Sequence, residues 1–81
     1  MSYQGTDDVN REITRIVNHA GLNPDDALAV ETSYVGYQFT TWIRGVDLDL
    51  ARAVLTVYLL DRAWVRLEVE GDALVLVQWD R

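Results

Sequence analysis

Cysteine and lysine are both absent from this chain of 81 residues. Without cysteine there are no disulfides, no zinc–thiolate sites, no redox pairs and no thiol nucleophile. Serine occurs only as Ser2 and Ser33, and none of the Gly-rich phosphate loops, nucleophile elbows or paired-histidine metalloprotease helices can be written onto the sequence. No apolar run approaches the roughly 20 residues that a membrane-spanning helix needs. The first residues, Met1-Ser2-Tyr3-Gln4-Gly5, lack the basic stretch followed by an apolar one that marks a secretory signal. These absences lead us to expect a soluble, cytoplasmic protein.

The missing lysine also shapes the charge. All seven basic residues are arginine, Asp outnumbers Glu nine to four, and the net charge is −6. No basic stripe is present, so direct nucleic-acid binding is not expected, because phosphate contacts need clustered Lys or Arg. Anionic membrane surfaces are disfavoured for the same reason. An Asp-rich, Lys-free composition has two readings: the arginine codon bias of a GC-rich genome, or a salt-adapted (halophilic) source.

What is present suits one small domain. A chain of this size buries roughly 60% of the surface its unfolded form exposes, so its own stability is modest and oligomerisation would add to it. Residues 1–5 read as a flexible tail and residues 6–81 as a single α+β domain. Thr6 is a candidate N-cap followed by Asp7 and Asp8, where the helix dipole favours negative charge. Val9, Ile13, Ile16, Val17 and Ala20 then recur on one stripe, which predicts a helix over about 7–20. Asp7 with Arg11, and Glu12 with Arg15, stand at favourable spacings on its wet side. Gly21 and Leu22 give a stop signal.

Two strand-like runs follow, about 28–34 and 37–43, with the turn placed at Val35-Gly36. Leu28, Val30, Thr32 and Tyr34 share a face with Tyr37, Phe39, Thr41 and Ile43. Asp47 is a candidate N-cap for a second helix over about 48–61. That helix is apolar around most of its circumference and is therefore expected to be buried on more than one side. A second hairpin, 64–70 and 73–79, turns at Gly71-Asp72. Counting back from the turn pairs Val69 with Leu74, Leu67 with Leu76, and Trp64 with Trp79.

The order α-β-β-α-β-β predicts a two-layer α+β sandwich, with a four-stranded, mainly antiparallel sheet and both helices on one face. A spatial strand order of 1-2-4-3 would make it a circular permutant of the ferredoxin-like fold. It would also place the last strand, Ala73-Leu74-Val75-Leu76-Val77-Gln78-Trp79, in the middle. That strand is apolar on both sides, as a strand covered on both faces should be. Two helices cover only one face, so the other is expected to need a partner.

The chemistry-bearing residues are few. His19, in the last turn of the first helix, reads as a complement to the helix dipole, with no base, nucleophile or metal ligand tied to it. Paired acids fall at helix starts or turns. Glu68 and Glu70 share a strand face, but Arg66 beside them is the simpler partner. We therefore expect no enzyme, no metal and no cofactor. In this register Trp42, Trp64 and Trp79 all lie on the face away from the helices, with Val75 and Val77 between them and Arg66 at the margin. Aromatics and Arg around an apolar centre are interface composition. With Leu60, which continues the polar stripe of the second helix, these residues form the expected interface. The function expected is a small acidic interaction or regulatory module (adaptor, inhibitor or chaperone-like). Its expected partners are a second copy of itself, as a homodimer through the open sheet face, and another protein. The alternative is a small-ligand-binding domain with an aromatic pocket at that face or at the dimer seam.

Overall fold

The computed structural model describes residues 5–23, 26–58 and 65–79. Helix α1 spans Thr6–His19, strands β1 and β2 span Ala29–Val35 and Gln38–Arg44, helix α2 spans Leu48–Tyr58, and strands β3 and β4 span Val65–Glu70 and Ala73–Trp79. The four strands form one sheet in the order β1-β2-β4-β3, and every neighbouring pair is antiparallel. The architecture is a two-layer α+β fold, with the last strand in the interior of the sheet.

Helix α1 forms because its apolar residues recur every three or four positions. Val9, Ile13, Ile16 and Val17 are its buried residues. Its start differs from expectation. Thr6 is the first helical residue, Gly5 is the cap, and no side chain caps the helix. Arg11 meets Asp8, three residues before it, at 3.6 Å and not the expected Asp7. The C-terminus closes with a Schellman motif. The Leu22 amide donates to the Val17 carbonyl and the Gly21 amide to the Asn18 carbonyl, both at 3.1 Å. Gly21 takes φ +72°, which costs glycine little. Leu22 is buried, as the apolar contact of that motif requires.

The first hairpin keeps the expected faces but turns one residue later. Val35 pairs with Gln38, so Gly36 and Tyr37 are the two loop residues. Both have positive φ, +59° and +63°. A two-residue loop with φ > 0 at both positions matches the twist of the strands. Placing Val35 in the loop would force a β-branched residue into the left-handed region, and the one-residue shift avoids this. The strands accordingly begin and end one residue later than expected. In the second hairpin Val69 pairs with Leu74 and Leu67 with Leu76. The expected Trp64–Trp79 pair lies outside the described residues, because Trp64 does.

Helix α2 starts where Asp47 accepts a 3.0 Å hydrogen bond from the Leu50 amide. Over residues 48–57 the helix is not buried on several sides as expected, and residues 59–61 of the expected span lie outside the described residues. Ala51 and Leu55 are fully buried, but Leu50 is 52% and Val57 72% exposed. Leu48 and Val54 are partly buried against the core, and Leu50, Arg52, Thr56 and Val57 stand in solvent. The link before it is held by Gly45 at φ +85°. A Cβ there would lie 1.9 Å from the Ala27 carbonyl oxygen, so the two chain segments at this end fit together only around glycine.

The core lies between the layers. Val9, Ile13, Ile16 and Val17 of α1 and Ala51 and Leu55 of α2 meet Phe39 and Ile43 of β2 and Leu74 and Leu76 of β4. One polar chain crosses it. The hydroxyls of Thr32 and fully buried Thr41 are 2.9 Å apart, and Thr32 donates onward to the Asn10 side-chain oxygen of α1. Buried hydroxyls need such partners. Among the described residues no helix is long and apolar enough to cross a membrane.

Candidate functional site

The registers fix the face of the sheet that carries no helix. Three rows cross it. Glu31, Trp42, Val75 and Glu68 form one; Ser33, Thr40, Val77 and Arg66 the next; Val35, Gln38 and Trp79 the third. Five of the expected interface residues, Trp42, Arg66, Val75, Val77 and Trp79, therefore share this face. Trp64 and Leu60 lie outside the described residues.

Burial along the rows changes the picture of the centre. Val75 and Val77 are only 3% and 4% exposed within the single chain. They were expected to wait for a partner; they are instead a floor that is already closed. Trp42 and Glu68 flank Val75, and Thr40 and Arg66 flank Val77. Arg66 reaches Glu68 at 3.0 Å and lies 5.6 Å from the centre of the Trp79 ring. One guanidinium thus joins a carboxylate and an indole across two strands, as cation–π geometry allows. Trp42 is half-buried and Trp79 is 39% exposed. What the face offers to a partner is the tops of these side chains, not the valines.

The face is close to neutral among the described residues. It carries Glu31, Glu68 and Glu70 against Arg44 and Arg66, a net of −1 out of −6. Arg44 in turn lies 3.4 Å from Asp72 in the second turn. Among the described residues no group of three or more His, Asp or Glu side chains stands close enough to hold a metal ion. His19 is exposed in the last turn of α1.

Two surfaces escaped the sequence reading. The tip of the first hairpin exposes Val35 at 77% and Tyr37 at 74%, with Tyr34 at 42% and its ring tilted by 46° against Phe39, 4.4 Å between centres. The cue was present in Gly36-Tyr37, an aromatic in a two-residue turn. On α2, Leu50 and Val57 are exposed on the outer side. Comparison with protein-family models, with curated proteins and with solved structures gives no match.

Proposed function

We propose that this chain is a small acidic, non-enzymatic interaction module, an adaptor, inhibitor or chaperone-like regulator, that works through the sheet face away from its helices. It docks there on a second copy of itself, as a homodimer, and by the same surface on another protein. A cytoplasmic setting belongs to this reading, and the absence of cysteine suits it. The observation that carries it is the Trp42–Trp79–Arg66 group standing over a closed valine floor. Large aromatics with low conformational freedom and an arginine, on a nearly neutral patch of an otherwise acidic chain, are the composition of binding hot spots.

The test is mass in solution, by light scattering after size exclusion. The wild-type chain is expected at twice the 9.2 kDa chain mass or more at micromolar concentration. Trp79→Asp should weaken association while the fold persists, because Trp79 is partly exposed. A wild-type monomer at high concentration would remove the homodimer and leave only the larger protein as partner. Unchanged association in Trp79→Asp would remove the face itself.

A further inference from the structure

The two edges of the sheet are unlike. Edge strands present a row of unpaired backbone groups, and proteins blunt them with charge, proline or bulges. Strand β3 reads Val-Arg-Leu-Glu-Val-Glu, with a charge at every second position. Strand β1 reads Ala-Val-Glu-Thr-Ser-Tyr-Val, with one charge and no proline. All seven residues of β1 pair one to one with β2, so no bulge twists the edge away. Among the described residues β1 pairs with no other strand.

The sequence of β1 is also complementary to itself when reversed. Antiparallel pairing about Thr32 sets Glu31 opposite Ser33, Val30 opposite Tyr34 and Ala29 opposite Val35. Apolar meets apolar, the single carboxylate meets a hydroxyl, and no like charges face each other. Such cross-strand pairs are the unit of sheet stabilisation. The helices leave room. Thr32 bonds to Asn10 of α1 and to Thr41 of β2 together, which sets α1 over the seam between β1 and β2. A helix over that seam stands about one strand spacing, ~4.8 Å, from a two-fold axis beside β1. Two such helices would run about 9.6 Å apart, inside the 8–10 Å range of packed helices.

We propose that β1 is a second self-contact: two copies join edge to edge through antiparallel β1 strands, with the two-fold axis at Thr32, into a continuous eight-stranded sheet. The contact is independent of the open face. It leaves Trp42 and Trp79 uncovered and places the two open faces side by side as one broad surface.

The experiment uses the Trp79→Asp chain, in which the open-face contact is disabled. The wild-type chain, joined through both contacts, is expected above twice 9.2 kDa, and the Trp79→Asp chain is expected to fall from that mass to twice 9.2 kDa and no further. Adding Ser33→Glu sets carboxylates opposite each other twice across the axis and should weaken the remaining dimer about tenfold. Further adding Glu31→Arg turns both repulsions into opposite-charge pairs and should restore it. Residues 31 and 33 are exposed, and circular dichroism checks that each variant is folded. A folded monomer from Trp79→Asp alone overturns the edge contact and leaves the open-face reading standing. A dimer indifferent to Ser33→Glu, or one that Glu31→Arg fails to rescue, also overturns it.

Discussion

Adjacent residues of β4 test the two-layer burial directly. Leu76 points to the helices and is fully buried; Val77 points to the open face and is 4% exposed. Leu76→Ala removes three carbons, about 2.4 kcal/mol of transfer energy at ~0.8 kcal/mol each. It also leaves a cavity, because Thr41 and Leu67 beside it are held by the core, so the total should fall at about 3–4 kcal/mol. Val77→Ala removes two carbons, about 1.6 kcal/mol. Its cavity term should be small, since the neighbouring Arg66 is exposed and can settle into the gap. An 81-residue domain has a total stability of roughly 4–12 kcal/mol. The first substitution therefore takes a large share and the second a modest one. At ~4–8 °C per kcal/mol, midpoint losses of about 12–30 °C and 6–13 °C follow. Urea and thermal unfolding, read by far-ultraviolet circular dichroism and tryptophan fluorescence, measure both. Two protein concentrations separate folding from association. A cost for Val77→Ala below about 0.5 kcal/mol, typical of open surface, would refute the closed valine floor. A cost above that of Leu76→Ala would place the main core on the wrong side of the sheet.

Three further outcomes are expected. Thr32→Val should cost more than Thr41→Val, by about 1 kcal/mol in denaturant unfolding, because Thr32 serves two partners and its loss strands both a buried hydroxyl and the Asn10 oxygen; equal costs would remove the polar chain as a positioning device for α1. Gly45→Ala should destabilise by more than 2 kcal/mol and Gly36→Ala by about 1 kcal/mol, since both have positive φ but only Gly45 faces a backbone oxygen at 1.9 Å; the reverse order in thermal unfolding would contradict the close approach. With a net charge of −6, the midpoint should rise from low salt to about 0.2 M KCl as repulsion is screened; a rise that continues into molar KCl supports a salt-adapted source, and one that stops there supports codon bias.

The strand order, both hairpins and the core stripe of α1 were legible in the sequence because each rests on local periodicity. Gly71-Asp72 marked its turn without ambiguity, and the two-sided apolar pattern of β4 located the sheet interior. The first turn was misplaced by one residue because Gly36 can occupy either loop position, and only the backbone angles of Tyr37 decide between them. The exposure of Leu50 and Val57 could not be read from composition, since an apolar circumference reports what a helix is able to bury and not how much neighbouring surface exists. The same gap concealed the valine floor. Whether Val75 and Val77 need an outside cover depends on how far Arg66, Glu68 and Trp79 reach sideways, which periodicity does not encode.

The position of β4 has a consequence for the order of events as the chain is made. It is the last of these six elements to be synthesised, yet among the described residues β3 has no other strand partner and β2 has no other partner on its inner side. The ladder it forms with β2 joins Gln38 to Trp79 across the intervening α2 and β3. Such long-range closure is slow, because loop entropy is lost before contacts compensate for it. Until residue 79 has been added, α1 and the first hairpin can assemble, but Phe39 and Ile43 have no β4 leucines to meet, and β3 has nothing to pair with. The two halves are thus joined in one late step, and a chain cut before residue 73 should behave as a loose hairpin unit with an exposed inner edge, not as a smaller version of the same fold.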